Sequence, residues 1–382
     1  MGFDVSFSFS FSFSPFQPTS PHLRRSGKPL LFLHTLGRSP SAFRCSNNEL
    51  PAAGSSPALS SYASRWINPL RRRPSPEIVR HWIEADPQLA SEDRFTLASY
   101  NILGDRNASK HWDLYADVPP SYMKWERRRR VICEELMGWG PDIICLQEVD
   151  RYIDLSESMQ RGGYVGSYKI RFLSSRAHSL AKKWGNIPIL LSGDFNTTPQ
   201  SAIYEFLSKS QLDILLHDRR ELSGQRSCHP SQVFGQSGNS TSPFIIMDRL
   251  FNSGWSEEEV RTAGADAGVV AHPLKLNSAY SKVNGSGTTR YLNGEPLATS
   301  YHSKFFGTVD YIWYSDGLVP TRVLDTPPIN ILRRTGGLPC ENVGSDHLAL
   351  VSEFAFTDLS ESWGMGTSNL VCRCEDSFPT IW

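Results

Sequence analysis

The sequence predicts a layered α/β fold, on three observations. Short apolar runs of strand length recur and end in carboxylate, amide or imidazole side chains. Amphipathic helical stretches alternate with them, in the order helix, strand, helix, strand. The chain has 382 residues, ten tryptophans and 20% charged residues, enough to bury a full core.

Residues 1–48 hold one acid, Asp4, against Arg24, Arg25, Lys28, Arg38 and Arg44, in a background of Ser, Pro and Phe. That is the composition of an organelle transit peptide or a disordered arm, so the stretch is set aside from the fold. A plastid or mitochondrion is the expected location, with cytoplasm and nucleus as the alternative. The alternation Phe7, Phe9, Phe11, Phe13 could template a strand, but an isolated one has nothing to pack on. Residues 49–91, rich in Pro and Ser around Arg71-Arg72-Arg73, read as a linker. A short helix is expected over 77–85, because Ile78 and Trp82 stand four apart.

The globular part is expected over 92–356. It opens with a strand from Phe95 to Asn101, polar at its end. A helix from Met123 to Trp139 follows, with Trp125, Ile132, Leu136 and Trp139 on one side and the run Arg127 to Arg130 read as a solvated face. Gly140-Pro141 stops it. Asp142 to Glu148 reads as a buried strand with a glutamate at its tip, Cys145 being a core residue. Helical spacing returns from Phe172 to Trp184 and leads into the apolar run Ile187 to Ser192, which ends at Gly193-Asp194-Phe195-Asn196. Further on come a helix from Ser201 to Ser210, a Gly- and Ser-rich loop over 223–243, and a strand from Val309 to Tyr314. Gly344-Ser345-Asp346-His347 precedes a last strand, Leu348 to Phe354. Residues 357–382 show no period.

Composition narrows the function. Equal numbers of acidic and basic residues, 39 each, give no global field for nucleic acid, so such a partner would need a local basic patch. Seven cysteines without zinc-site spacing fit a reducing compartment. No run of 18 apolar residues exists to span a membrane.

The polar tips carry the chemistry: Asn101, Glu148, Asp194 with Asn196, Asp310, and Asp346 with His347. Taken singly, each is an ordinary turn residue or helix cap. Together they form an oxygen-rich set with one imidazole and no thiolate, which suits Mg²⁺ or Mn²⁺. Phosphodiester hydrolysis needs a metal to offset phosphate charge, a positioned water and polar groups around the phosphoryl oxygens. Glu148 is the leading metal ligand, with Asp346 assisting on the metal side. Asp194 is the water-activating carboxylate, and Asn101 and Asn196 are neutral groups that hold phosphate. His347 would stabilise the developing phosphorane, or act as acid or base, with Asp310 fixing its ring.

Five segments occur in the order of one known superfamily: Ser99-Tyr100-Asn101-Ile102-Leu103, Leu146-Gln147-Glu148, Gly193-Asp194-Phe195-Asn196, Gly307-Thr308-Val309-Asp310-Tyr311-Ile312 and Gly344-Ser345-Asp346-His347. The chain resembles the endonuclease/exonuclease/phosphatase superfamily. Its flanks, Asn196 to Ser201 with Tyr204, and His272-Pro273-Leu274, are similar to the carbon-catabolite-repressor-type deadenylases and their relative nocturnin. The resemblance implies an α+β fold, a two-layer β-sandwich flanked by helices. It also implies Mg²⁺-dependent 3′–5′ removal of nucleotides from RNA, poly(A) ends preferred. Those relatives place further strands and an Asn-x-His motif between the positions of Glu148 and Asp194. Here Asp194 follows Glu148 by only 46 positions, and no such motif is present. The sequence therefore reads as internally shortened near 169–170, lacking some central strands, with activity impaired. No leucine-rich repeat for scaffold docking is present. The alternatives are a nucleotide phosphatase or phosphodiesterase of the same superfamily, and a non-catalytic RNA-binding form.

Overall fold

The protein is described from a computed structural model covering residues 10–15, 31–34, 76–85, 90–162, 164–168, 174–183, 185–219, 221–235, 254–265 and 267–357. The junction at 169–170, the second half of the 223–243 loop and the tail beyond Thr357 lie outside the described residues. Fifteen strands are assigned: β1 Ser10–Pro15, β2 Leu31–His34, β3 Trp82–Glu84, β4 Ala90–Asn101, β5 Ile143–Gln147, β6 Tyr164–Tyr168, β7 Ile189–Asp194, β8 Gln211–Asp213, β9 Val269–Ala271, β10 Asn277–Ser278, β11 Ser300–His302, β12 Phe305–Gly307, β13 Asp310–Tyr314, β14 Leu318–Leu324 and β15 Leu350–Thr357.

Two sheets dominate. The larger runs β3-β14-β15-β4-β5-β1-β6 and the smaller β10-β13-β7-β2. Side chains alternate faces along a strand, and here that alternation fixes the layers. Phe95, Leu97, Ile143 and Cys145 of the larger sheet meet Leu190, Ile312 and Tyr314 of the smaller one in a shared core. Their neighbours Ala98, Tyr100, Ile144 and Leu146 point outward, onto Ile132 and Leu136 of the helix Trp125–Trp139 and Leu155 and Met159 of the helix Tyr152–Arg161. On the opposite side, Leu191, Tyr311 and Trp313 pack under Ala177 and Ala181 of the helix Ser174–Lys183 and Leu207 of the helix Ala202–Lys209. The result is helix, sheet, sheet, helix. No helix among the described residues is long and apolar enough to cross a membrane.

Several local expectations change. The stretch expected as a helix at 77–85 holds instead the edge strand β3, which pairs antiparallel with β14. Ile78 and Trp82 do both bury, but in different clusters, so the i,i+4 coincidence marked two contacts rather than one helical face. The first half of the 223–243 loop forms short helical turns, Gln225–Ser227 and Pro230–Val233. A helix at Tyr152–Arg161 lies between the strand ending at Glu148 and the helical spacing from Phe172, where no element is expected from the sequence. The N-terminal residues set aside by composition also contribute to the sheets. β1 lies antiparallel between β5 and β6, and β2 runs parallel to β7. Both sit beside the strands that flank the short connection, where open edges offer unpaired backbone groups.

The arginine run corrects a further expectation. Arg128 is 1% exposed rather than solvated, and it shares a face with Trp125 and Ile132. Its Nη1 donates to the carbonyls of Ile102 (3.0 Å) and Leu103 (2.8 Å), pinning the loop that leaves β4. Gly344 allows this helix to come close. A Cβ there would stand 2.6 Å from the Arg128 carbonyl and 2.7 Å from Ile132 Cγ1.

Candidate active site

Strand direction brings the polar tips to one end of the sandwich. β4 and β5 are parallel and finish together, while β15 runs antiparallel to β4, so Asp346 and His347, just before β15, lie at the same end. In the smaller sheet β13 is antiparallel to β7, with Asp310 directly opposite Asp194. Alternation then aims the side chains. Asn101 shares a face with Phe95 and Leu97, Asp194 with Leu190, and Asp310 with Ile312, so all three point between the sheets, where the apolar core gives way to a polar mouth. Register alone thus converts distant sequence positions into one cluster.

Hydrogen bonds connect it. Asn101 Nδ2 donates to Asp194 Oδ2 at 3.2 Å and to Glu148 Oε1 at 3.3 Å, bridging the two sheets. Glu148 lies one residue past β5 with φ at 57°, in left-handed backbone rarely used by such a side chain. Its Oε2 accepts from the Gly104 amide (3.0 Å) and Asn107 Nδ2 (2.9 Å). A carboxylate offers about four lone-pair positions, so capacity remains for a cation. Asn196, also left-handed at φ 51°, donates its amide to Asp194 Oδ1 at 2.8 Å and exposes its side chain.

On the other wall, His347 Nδ1 pairs with Asp310 Oδ2 at 2.8 Å, leaving Nε2 facing Asp194 Oδ2 at 4.0 Å. Burial works against a charge on this ring, but Asp310, Asp346 and Asp194 outweigh it and hold His347 well above the ordinary histidine value. Burial and the charge of Asp310 push Asp194 up to about 7, against the opposing pull of His347. One carboxylate poised near neutrality beside a protonated imidazole can relay a proton.

The structure therefore gathers Asn101, Glu148, Asp194, Asp310 and His347, with Asn196 on the rim. Asp346 is buried next to them, and its Oδ2 accepts from Tyr115 Oη at 2.8 Å. Ligand atoms of Asp194, Asp310 and His347 lie within 4.8 Å of one another, a group that could hold a metal ion. The donors are two carboxylates plus one imidazole, and no cysteine enters the group; this chemistry fits a hard divalent cation.

Sequence reasoning missed several supports. Thr299 Oγ1 donates to Asp310 Oδ2 at 2.6 Å and accepts from the Val309 and Asp310 amides. Ser345 Oγ donates to the Asn101 carbonyl at 2.6 Å. Nothing in a one-dimensional pattern marks Thr299 or Tyr115. Arg128 did carry a signal, since it stands three and four positions from Trp125 and Ile132. A cleft of about 330 Å³ opens at the cluster, lined by Asn196, His347, Gln225, His302, Lys304 and Phe305 among others.

Across residues 98–347 the chain matches the Endonuclease/Exonuclease/phosphatase family. It is 43% identical to carbon catabolite repressor protein 4 homolog 3 of Arabidopsis thaliana, over 89% of this chain and 94% of that protein. That alignment runs over 427 positions, more than the chain's own 382 residues, so the relative has positions with no counterpart here. Human nocturnin is 29% identical over 65% of this chain and 62% of its own length. Among solved structures, ANGEL2, a 2′,3′-cyclic phosphatase in complex with adenosine-2′,3′-vanadate, shares the fold. The TM-score is 0.53 at 22% identity, covering 73% of this chain and 99% of that one.

Proposed function

The chain belongs to the endonuclease/exonuclease/phosphatase family, and from that premise we propose that it is a Mg²⁺-dependent (or Mn²⁺-dependent) 3′–5′ exoribonuclease of the deadenylase type, acting on poly(A) ends of RNA. The single observation that carries this reading is the continuous polar line from Glu148 through Asn101 to Asp194 and His347, placed at an open cleft.

Each residue takes one task. Glu148, which lies outside the Asp194–Asp310–His347 group, would hold the cation with Asp346 assisting, and a bound cation would supply charge neutralisation at the scissile phosphate. Asn101, expected to hold phosphate, has both Nδ2 hydrogens committed to Glu148 and Asp194 and so positions those carboxylates, while exposed Asn196 on the rim holds a phosphoryl oxygen. Asp194, poised near 7, takes a proton from the attacking water. His347 donates from Nε2 to the developing oxyanion, its ring oriented and its charge maintained by Asp310. The phosphorus–O3′ bond breaks, the leaving 3′ oxygen takes a proton from solvent, to which Asp194 returns the one it removed from the attacking water, and a 5′-mononucleotide is released.

The purified chain with Mg²⁺ should shorten a 5′-labelled oligoadenylate faster than random RNA, and faster than it removes phosphate from a phosphorylated dinucleotide. Preference for the dinucleotide would replace the deadenylase reading with a nucleotide phosphatase. The short Glu148–Asp194 connection favours a second reading, in which the chain binds RNA with little turnover. Oligoadenylate binding that survives Asp194→Ala, with no product from either chain, would select it.

The composition of residues 1–48 supports delivery to a plastid or mitochondrion. Cleavage there would remove the segments that form β1 and β2. N-terminal sequencing of the protein recovered from cells decides between a processed organelle form and a full-length cytoplasmic or nuclear one.

A further inference from the structure

Beside the catalytic cleft lies a second cavity of about 440 Å³, lined by Ala108, Trp112, Tyr115, Val118, Pro120 and Met123 among others. Trp112 is 72% exposed, whereas every other aromatic side chain described is buried or half-buried. Its indole face is thus open to a stacking partner.

The short 3₁₀ turn Trp112–Tyr115 separates the two spaces. Leu114 lines the catalytic cleft, while Trp112 and Tyr115 line the second cavity. Tyr115 also donates to Asp346, so the cavity is one side chain away from the site. The turn is held in place. Lys304 Nζ reaches Asp113 Oδ2 at 2.6 Å, and the Ser303 amide donates to the Leu114 carbonyl at 3.1 Å. Exposed Lys110 and Lys124 stand next in sequence to the lining residues Ser109 and Met123, and exposed Asp113 and Asp117 next to Trp112, Ala116 and Val118, so the rim carries both signs of charge. An apolar floor and an exposed aromatic face, one short turn from the cleft that would take the strand's end, suit one occupant: a nucleobase of that same strand.

Resting on the exoribonuclease reading above, we infer that this cavity is a second base subsite, where Trp112 stacks on a base of the bound RNA upstream of the scissile phosphate. The strand is anchored at two points, and the Trp112–Tyr115 turn sets the spacing between them. Single-stranded RNA is recognised by such stacking with little demand on base identity, so the subsite adds affinity and length preference.

Fluorescence anisotropy of a ten-nucleotide, 5′-labelled oligoadenylate tests the inference on the full chain with Mg²⁺. Trp112→Ala should weaken binding about tenfold, the size of one lost base–aromatic stack, and Trp112→Phe by less than about threefold. Moving a single abasic nucleotide along the strand should reveal one upstream position where loss of the base weakens the unsubstituted chain about tenfold yet barely affects Trp112→Ala. Equal affinity of Trp112→Ala and the unsubstituted chain overturns the subsite, as does an abasic penalty that is the same in both at every position. If this coupling appears but no product ever forms, the subsite stands and the nuclease reading falls.

Discussion

Among the described residues, two buried clusters of ionisable side chains differ in what surrounds them. One is the Asp194–Asp310–His347 group at the mouth of the sandwich; the other is formed by Arg290, Asp325, Glu295 and Tyr204. In the second, Arg290 Nε donates to Asp325 Oδ1 at 2.8 Å, and its guanidinium stacks on Tyr280 at 4.7 Å. Thr289 and the Thr326 amide bond the same carboxylate, and Tyr204 Oη donates to Glu295 at 2.8 Å. In the first cluster His347 instead lines a cleft. Burial and perturbed titration occur in both, since Glu295 like Asp194 is pushed up to about 7. What distinguishes a candidate active site from a structural one is therefore access, not burial of charge.

Substitutions should separate the two clusters. The largest expected effect is on the open one: Asp194→Asn should lower turnover on oligoadenylate about 10³-fold while the thermal midpoint changes little, measured by product formation alongside calorimetry. In the closed cluster the pattern reverses. Arg290→Ala leaves Asp325 buried without its countercharge and should cost about 3 kcal/mol of folding stability in denaturant titration, with turnover per folded molecule preserved. Comparable losses of turnover from both substitutions would erase the distinction.

Two smaller effects sharpen it. Thr299→Val removes a donor to Asp310 and, through His347, should cost roughly 1–2 kcal/mol of transition-state stabilisation. It should appear in kcat rather than KM, and Thr299→Ser should restore it. Glu295→Gln should act on pH dependence alone. Burial raises the folded carboxyl above its unfolded value, so its stabilising effect is complete below the ordinary carboxylate range and is lost as pH rises to about 7. The unsubstituted chain should thus lose thermal stability across that window and level off above it, and Glu295→Gln should flatten the slope.

The strands that carry the site were legible because each is a buried apolar run with a polar end. β4, β5, β7, β13 and β15 all lie where the runs placed them, to within a few residues. Local spacing served less well where tertiary contacts set the conformation. At 77–85 the edge of β14 draws Trp82–Glu84 into a strand despite the helical pair. Arg128 hid among four arginines of one charge, and only the approach of Gly344 and the β4 loop shows why that one is buried.

By itself the sequence determined which residues could do chemistry at a phosphate, because residue type fixes donor, acceptor and metal preference, and because alternation along a strand fixes which side chains can share a face. Only the tertiary structure decided that these residues meet. Asn101 touches Asp194 across two sheets, Thr299 and Tyr115 lock carboxylates 11 and 231 positions further along, and the Trp112–Tyr115 turn separates the cleft from the second cavity. Those contacts depend on strand order and register, which arise from packing of the whole core and leave no mark on any short stretch of chain.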